Sequence, residues 1–192
     1  MLKSELRQLF LEKRQTLNDK QFKELNENLC TQVMLFMKDL AANLTIASFL
    51  PIPSKQEINT ALIHDQLRHF PFLHTLCFPR VESKNKMCFY KIDSSDDIEI
   101  SKWGIPEPKA NPEKLVKSQD LQIMFIPLLV FDQQGHRVGY GKGFYDQYLV
   151  ECNQDLIKIG LSLFDEPSVI DDVEVTDVAL DIVITPSSVQ FC

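Results

Sequence analysis

An α/β domain with a mainly parallel central sheet and helices on both faces is predicted by three features of this chain. Short apolar runs closed by proline or glycine recur along it, segments with apolar residues at helical spacing lie between them, and no internal repeat or interdomain linker interrupts the series. Repeated strand–helix alternation implies parallel strands joined by crossovers, with helices covering both faces of the sheet. At 192 residues the chain is long enough to bury such a core as one domain, 1–192, without disulfides.

Leu2, Leu6, Leu9 and Phe10 recur at helical spacing and predict an amphipathic helix from Leu2 to about Leu17. A second helix is expected from Asp19, as its cap, to about Leu40, with Phe22, Leu25, Leu29, Val33 and Phe36 on its packed side. Leu44 to Leu50 reads as a buried strand broken by Pro51 and Pro53, whose rings cannot continue a central ladder. The segment EINTALIHDQLRHF then reads as a helix with Glu57 in its first turn. That carboxylate either complements the helix dipole or accepts hydrogen bonds from the amino groups of a heterocycle at the mouth of the sheet.

Thr75 to Phe78, closed by Pro79 and Arg80, and Lys86 to Lys91 are short strand candidates; Asp93 to Pro112, acidic and proline-rich, reads as surface loop. Within that loop Trp103 is either a lid or stacking surface or a packed anchor. Leu121 to Phe131 is the most apolar strand and is expected at the centre, with Pro127 at its C-terminal part or at a bulge. A helix from about Gly143 to Cys152 follows, and then strands at Leu156 to Leu163 and Ala179 to Thr185, separated by an acidic loop.

The net charge of −7 and pI near 5.1 argue against a dominant nucleic-acid or membrane surface, both of which need a basic field. A local basic pocket is compatible with both values. The five cysteines lack CxxC spacing and cannot all pair within the chain, which points to reduced, packing thiols. His64, His69 and His74 do not have zinc-ligand spacing and are expected on surface helix or loop positions. No apolar h-region opens the chain, Glu5 and Glu12 weigh against a mitochondrial presequence, and no apolar run approaches the roughly 20 residues of a membrane span. A cytoplasmic monomer is expected.

The chemistry concentrates between Phe125 and Asp146. Of 6 glycines in the chain, Gly135, Gly139, Gly141 and Gly143 fall in this stretch, accompanied by Arg137, Lys142 and Asp146. Glycine lets backbone N–H groups approach an anion or adopt positive φ, and Mg²⁺ is commonly held by one or two carboxylates with phosphate oxygens and water. The spacing is G-x-G-x-G, so it is neither the Rossmann fingerprint nor a Walker A loop. A nucleotide-phosphate cradle and a tight strand-to-helix turn packed by Tyr140, Phe144 and Tyr145 fit the glycines equally. Lys3 and Arg7, four apart on the first helix, form either a solvated basic face or a pair reaching the same phosphate.

The combination of KSELR at Lys3 to Arg7, FLPIPSKQEINT at Phe49 to Thr60, GIPEP at Gly104 to Pro108, FIPLLVFDQQGHRVGYGKGFYD at Phe125 to Asp146 and a late TDVALDIVIT resembles the 5-formyltetrahydrofolate cyclo-ligase family nearly end to end. The resemblance implies an enzyme that uses ATP and Mg²⁺ on a reduced folate. In that family the γ-phosphoryl group passes to the formyl oxygen, and the neighbouring folate nitrogen closes the ring with loss of phosphate. It further implies that Lys3, Ser4, Glu5, Leu6 and Arg7, with Arg137, Val138, Gly139, Tyr140, Gly141, Lys142, Gly143, Phe144 and Tyr145, contact ATP. By the same resemblance Lys142 and Arg137 stand beside the transferring phosphoryl group, and Asp146 and Asp177 are Mg²⁺ ligands. Leu50 and Glu57 match folate contacts, and Tyr140, Gly141, Lys142, Gly143 and Phe144 line the join between folate and nucleotide. Many relatives have His where Thr176 stands here.

Overall fold

The computed structural model describes residues 1–40, 43–69, 74–83, 86–101 and 104–192. Trp103 and the expected helix end at Phe70 lie outside the described residues. Helix α1 (Lys3–Gln15) buries Leu6, Phe10 and Arg14, a stripe that steps by four. Leu2 and Leu9, expected on the packed side, are exposed, because Leu9 points roughly 100° from the centre of that stripe at 3.6 residues per turn. Helix α2 (Asp19–Met37) is capped by Asn18 rather than Asp19. Asn18 Oδ1 accepts the Gln21 N–H at 2.9 Å and Gln21 Oε1 accepts the Asn18 N–H at 3.1 Å, a reciprocal box that Asp19 is one residue too late to form.

Strand β1 (Thr45–Ala47) is followed by α3 (Thr60–Arg68), β2 (Thr75–Ser83) and β3 (Lys86–Lys91). Helix α3 starts after Glu57, so this carboxylate belongs to a loop and not to a first helical turn. Local side-chain bonds hold that loop out of the helix: Glu57 Oε2 accepts the Ile52 N–H at 2.6 Å and Thr60 Oγ1 donates to the Phe49 carbonyl at 2.7 Å. Strand β2 runs past Pro79, which was expected to close it. Its neighbour β1 pairs only Thr75 to Cys77, so Pro79 needs a ladder partner on one side alone, where it faces Phe89.

The expected surface loop contains a small antiparallel ladder of β4 (Ile98–Ile100) and β5 (Pro106–Pro108). Arg80 fastens it, donating from Nη1 to Glu99 at 2.5 Å and to the Pro108 carbonyl at 2.7 Å. Strands this short, one of them bounded by prolines, carry too little apolar alternation to show in the sequence. After β6 (Leu115–Val116), the apolar run divides: β7 (Ile123–Pro127) stays in the main sheet, with Pro127 at its C-terminal end as expected. Strand β8 (Val130–Phe131) turns through Asp132 to His136 into β9 (Arg137–Val138). Helix α4 (Phe144–Leu149), β10 (Ile157–Leu161), β11 (Ile182–Ile184) and β12 (Val189–Phe191) complete the chain.

The main sheet has the order β12-β11-β10-β7-β1-β2-β3-β6. The five strands from β11 to β2 are parallel, and β12, β3 and β6 add antiparallel edges. Both faces of β7 are buried: Ile123 and Phe125 join a cluster with Leu6, Phe10, Leu29, Val33 and Ile63 from α1, α2 and α3, while Met124 and Ile126 join one with Tyr148 and Leu149 from α4. His64, expected at the surface, is 4% exposed, with Nε2 2.7 Å from Ser48 Oγ and its ring edge-on to Phe78. Burial, assisted by the Arg68 charge, lowers its pKa to about 3, so it packs as a neutral ring. Each of the five cysteines is a free thiol, and burial pushes Cys77 up to about 12. No described helix is long and apolar enough to cross a membrane.

Candidate functional site

The sheet order itself locates a crevice. From β1 the chain crosses to β2 on one side, and β7 later takes the place on the other, so loops leaving the carboxyl ends of β1 and β7 diverge. In open parallel sheets this divergence is where ligands bind. The loop carrying Glu57 follows β1, the segment from Leu128 to Gly143 follows β7, and α1 lies across both. At the opposite, amino end of the strands a depression of about 400 Å³ lined by Leu40, Leu44, Leu121 and Ile157 has no cationic lining residue among those described, which does not suit a phosphate.

Helix α1 delivers three cations to the crevice. Lys3 Nζ bonds to Asp177 Oδ2, Arg7 Nε donates to the Gly139 carbonyl at 2.8 Å, and Arg14 donates from Nη1 to the Tyr140 hydroxyl at 3.1 Å and from Nη2 to the Leu128 carbonyl at 3.0 Å. Arg7 therefore faces the glycine loop, while Lys3 reaches Asp177 in the late acidic loop. The two Nη groups of Arg7 keep no other partner among the described residues and are free to bond an anion. Gly141 has φ +80°, and a Cβ there would stand 3.1 Å from the Arg7 guanidinium, so the close approach of helix and loop requires glycine. Gly135 lies outside this cradle, in the β8–β9 turn, where a Cβ would meet the Leu180 carbonyl at 2.5 Å.

Arg137 is held from two sides. Its Nη2 donates to Asp146 Oδ1 at 2.8 Å and its Nη1 to the Val178 carbonyl at 2.5 Å, and the Val178 N–H returns to the same Asp146 oxygen at 3.1 Å. Asp177 is organised likewise, with Oδ2 accepting from Lys3 and from the Glu174 N–H at 2.6 Å. Burial raises the Asp177 pKa, but the hydrogen bonds from Lys3 and Glu174 with the charges of Lys3 and Arg137 outweigh it, and the carboxyl lies below its ordinary value. Both carboxylates place their bonds on one oxygen and leave the other without a protein partner among the described residues, at side-chain exposures of 27% and 20%. That arrangement fits Mg²⁺ bridging to phosphate through one or two carboxylates. Among the described residues no group of three or more His, Cys, Asp or Glu is placed to hold a metal by itself.

Glu57 closes the other end of the crevice. It is 6% exposed and bonded to the Ile52 N–H, with Tyr140 of the glycine loop close enough to lower its pKa. Burial raises its pKa; Tyr140, the Ile52 N–H, Arg14 and Lys55 counter this without cancelling it. Burial and the Glu57 charge together push the Tyr140 phenol up, so its hydroxyl stays a proton donor at neutral pH.

The remaining expected contacts fall in varied places. Leu6 and Val138 are buried in the core, Ser4 and Glu5 are exposed, and Glu5 Oε2 accepts the Leu2 N–H at 2.9 Å as a helix cap. Leu50 and Tyr140 are half-buried against one apolar cluster, Phe144 and Tyr145 against the other. Lys142 is exposed and its ammonium has no partner among the described residues, which leaves it available to a ligand. Gly143 caps α4 with φ +69°. Arg14, which joins α1 to Tyr140 and the end of β7, was missed from sequence; its only signal is its place four residues beyond Phe10 on the packed stripe.

A family model described as the 5-formyltetrahydrofolate cyclo-ligase family matches residues 1–186. A Mycoplasma genitalium protein named 5-formyltetrahydrofolate cyclo-ligase is 31% identical over 162 residues, covering 83% of this chain and 84% of the relative. An NMR structure of the Aquifex aeolicus 5,10-methenyltetrahydrofolate synthetase superposes with TM-score 0.76 at 26% identity, covering 100% of this chain and 93% of that one. A Mycoplasma pneumoniae structure named as a 5,10-methenyltetrahydrofolate synthetase shares the fold with TM-score 0.74 at 23% identity, covering 97% and 99%.

Proposed function

The chain belongs to the 5-formyltetrahydrofolate cyclo-ligase family, and we propose that it converts 5-formyltetrahydrofolate to 5,10-methenyltetrahydrofolate, with ATP and Mg²⁺ consumed or bound at the crevice described above. The observation that carries this reading is the joining of two kinds of subsite. A loop of glycines that contains Lys142 and is faced by Arg7 suits phosphates, and its own Tyr140 lies beside Glu57, a buried acceptor suited to the amino and ring N–H groups of a folate heterocycle.

The γ-phosphoryl group of ATP is transferred to the formyl oxygen, breaking its bond to the β-phosphate and releasing ADP. The adjacent folate nitrogen then attacks the activated carbon, loses its proton and expels phosphate as the ring closes. The protein's part is alignment and charge stabilisation. Lys142, exposed and without a partner among the described residues, is assigned to the transferring phosphoryl group, with Arg137 fixing the loop beside it. Lys3 and Arg7 take the remaining phosphates, and Tyr140 to Phe144 line the boundary between the two substrates. Asp146 and Asp177 would hold Mg²⁺, which supplies further neutralisation of phosphate charge when bound. Phosphate release measured with each component omitted tests the reading: it is expected to depend on 5-formyltetrahydrofolate. ATP hydrolysis without folate, or folate binding without phosphate release, would point instead to a different catalyst or to a binding protein.

A further inference from the structure

Arg14 is 2% exposed, so neither substrate reaches it, yet it occupies a stripe position where leucine would pack beside Leu6 and Phe10. A buried guanidinium costs stability unless its groups are bonded, and its replacement by an apolar residue of similar volume is often neutral or stabilising. Here two nitrogens are bonded and Nε is left without a partner. Core packing therefore does not account for the charge. Its placement does: Arg14 Nη1 donates to the Tyr140 hydroxyl at 3.1 Å, and the Tyr140 phenol and the Arg14 charge both lie close enough to Glu57 to lower its pKa against burial.

Resting on the assignment of Glu57 to the folate heterocycle, we propose that Arg14 is a positioning residue for that contact. It fixes the Tyr140 hydroxyl on the side of the carboxylate and, with Lys55, places positive charge near it inside a desolvated pocket. Because Arg14 also holds the Leu128 carbonyl just beyond β7, it ties the nucleotide loop, the sheet end and the folate carboxylate to one helix. The groups facing Glu57 are Arg14 and Lys55 as cations, Tyr140 and Tyr145 as phenols, and the Ile52 N–H. Removing Arg14 leaves burial opposed by Lys55 and hydrogen bonds alone.

The test uses Arg14→Met, Arg14→Lys and Tyr140→Phe in the full chain. In Arg14→Met the midpoint of the acid limb of kcat/KM for folate is expected to rise by about one pH unit, and the folate KM near that limb by about tenfold. The ATP KM is expected to stay within about twofold of the parent. Arg14→Lys should recover the limb in part, since it restores the charge but not the two-pronged geometry. Adding Tyr140→Phe to Arg14→Met should cost less than Tyr140→Phe alone costs in the parent. A folded Arg14→Met protein with the parental acid limb and folate KM would overturn the proposal; should that variant not fold, parental limbs in both Arg14→Lys and Tyr140→Phe would do so. Titration of Glu57 by NMR with ¹³C-labelled glutamate reads the same coupling without turnover. An absent reaction with a Glu57 titration that shifts up in Arg14→Met thus refutes the assigned activity and leaves the coupling standing, whereas an unshifted titration refutes the coupling.

Discussion

Gly139 and Gly141 occupy equivalent-looking places in one motif, and the structure assigns them different costs. At Gly141 the backbone has φ +80°, and an added Cβ would lie 3.1 Å from both Cζ and Nη2 of Arg7. An alanine in the left-handed region costs about 1–2 kcal/mol. The contact also pushes the Arg7 guanidinium from its place over the loop, weakening the 2.8 Å bond from Nε to the Gly139 carbonyl. A total near 2 kcal/mol lowers the Tm of a chain this size by about 4–8 °C. Gly139 does not have a positive φ, and no atom lies within 4 Å of its built Cβ, so Gly139→Ala should change stability by less than about 0.5 kcal/mol. Urea unfolding of the two ligand-free variants beside the parent decides the matter. Equal losses, or a larger loss at Gly139, would refute the geometry assigned to the loop.

Lys142→Ala should leave the unfolding midpoint unchanged, because the ammonium has no protein partner among the described residues, while reducing turnover by about 100-fold or more as phosphoryl charge loses its stabiliser; turnover close to the parent would remove Lys142 from its assigned role. Asp146→Asn should raise the Mg²⁺ concentration giving half-maximal rate, and it should also cost about 1–3 kcal/mol, because the 7%-exposed Arg137 side chain loses its ionised partner. A Mg²⁺ titration that superposes on the parent's would exclude the metal role. The depressed pKa of Asp177 contributes stability that is present above the unfolded value, roughly pH 4, and is lost as pH falls through the lower folded value. Acid unfolding of Asp177→Asn should accordingly show a shallower stability loss in that window, and an identical slope would count against it. For Glu57 the sign reverses: its raised folded pKa means ionisation opposes folding as pH rises, so Glu57→Gln should be at least as stable as the parent at pH 8 while losing folate turnover. A clear loss of stability at pH 8 would contradict the burial argument.

Much of the frame was legible because it rests on local pattern. Lys86 to Lys91 forms β3 with the expected bounds, Pro127 ends β7, and Arg7 reaches the glycine loop, whereas Lys3, four residues earlier on the helix, bonds to Asp177 instead. The failures come from tertiary context. Nothing local says that β1 stops at Ala47 and so frees one edge of β2 to accept Pro79. Glu57 looks like a helical residue until Thr60 and Ile52 are seen to hold its loop apart. The burial of Arg14 is the clearest case: a charged residue is read by default as solvated, and only the position of Tyr140, 126 residues away, gives the charge a reason to be inside. The same holds for His64, whose partner Ser48 comes from the end of a different element.

The central claim is ring closure of the folate at this crevice, and the most direct test is absorbance in the methenyl-folate band as purified protein meets 5-formyltetrahydrofolate, ATP and Mg²⁺. The account predicts a rise that requires all three components and is nearly lost in Lys142→Ala. Folded protein with no rise, or a rise that persists without ATP, would contradict it.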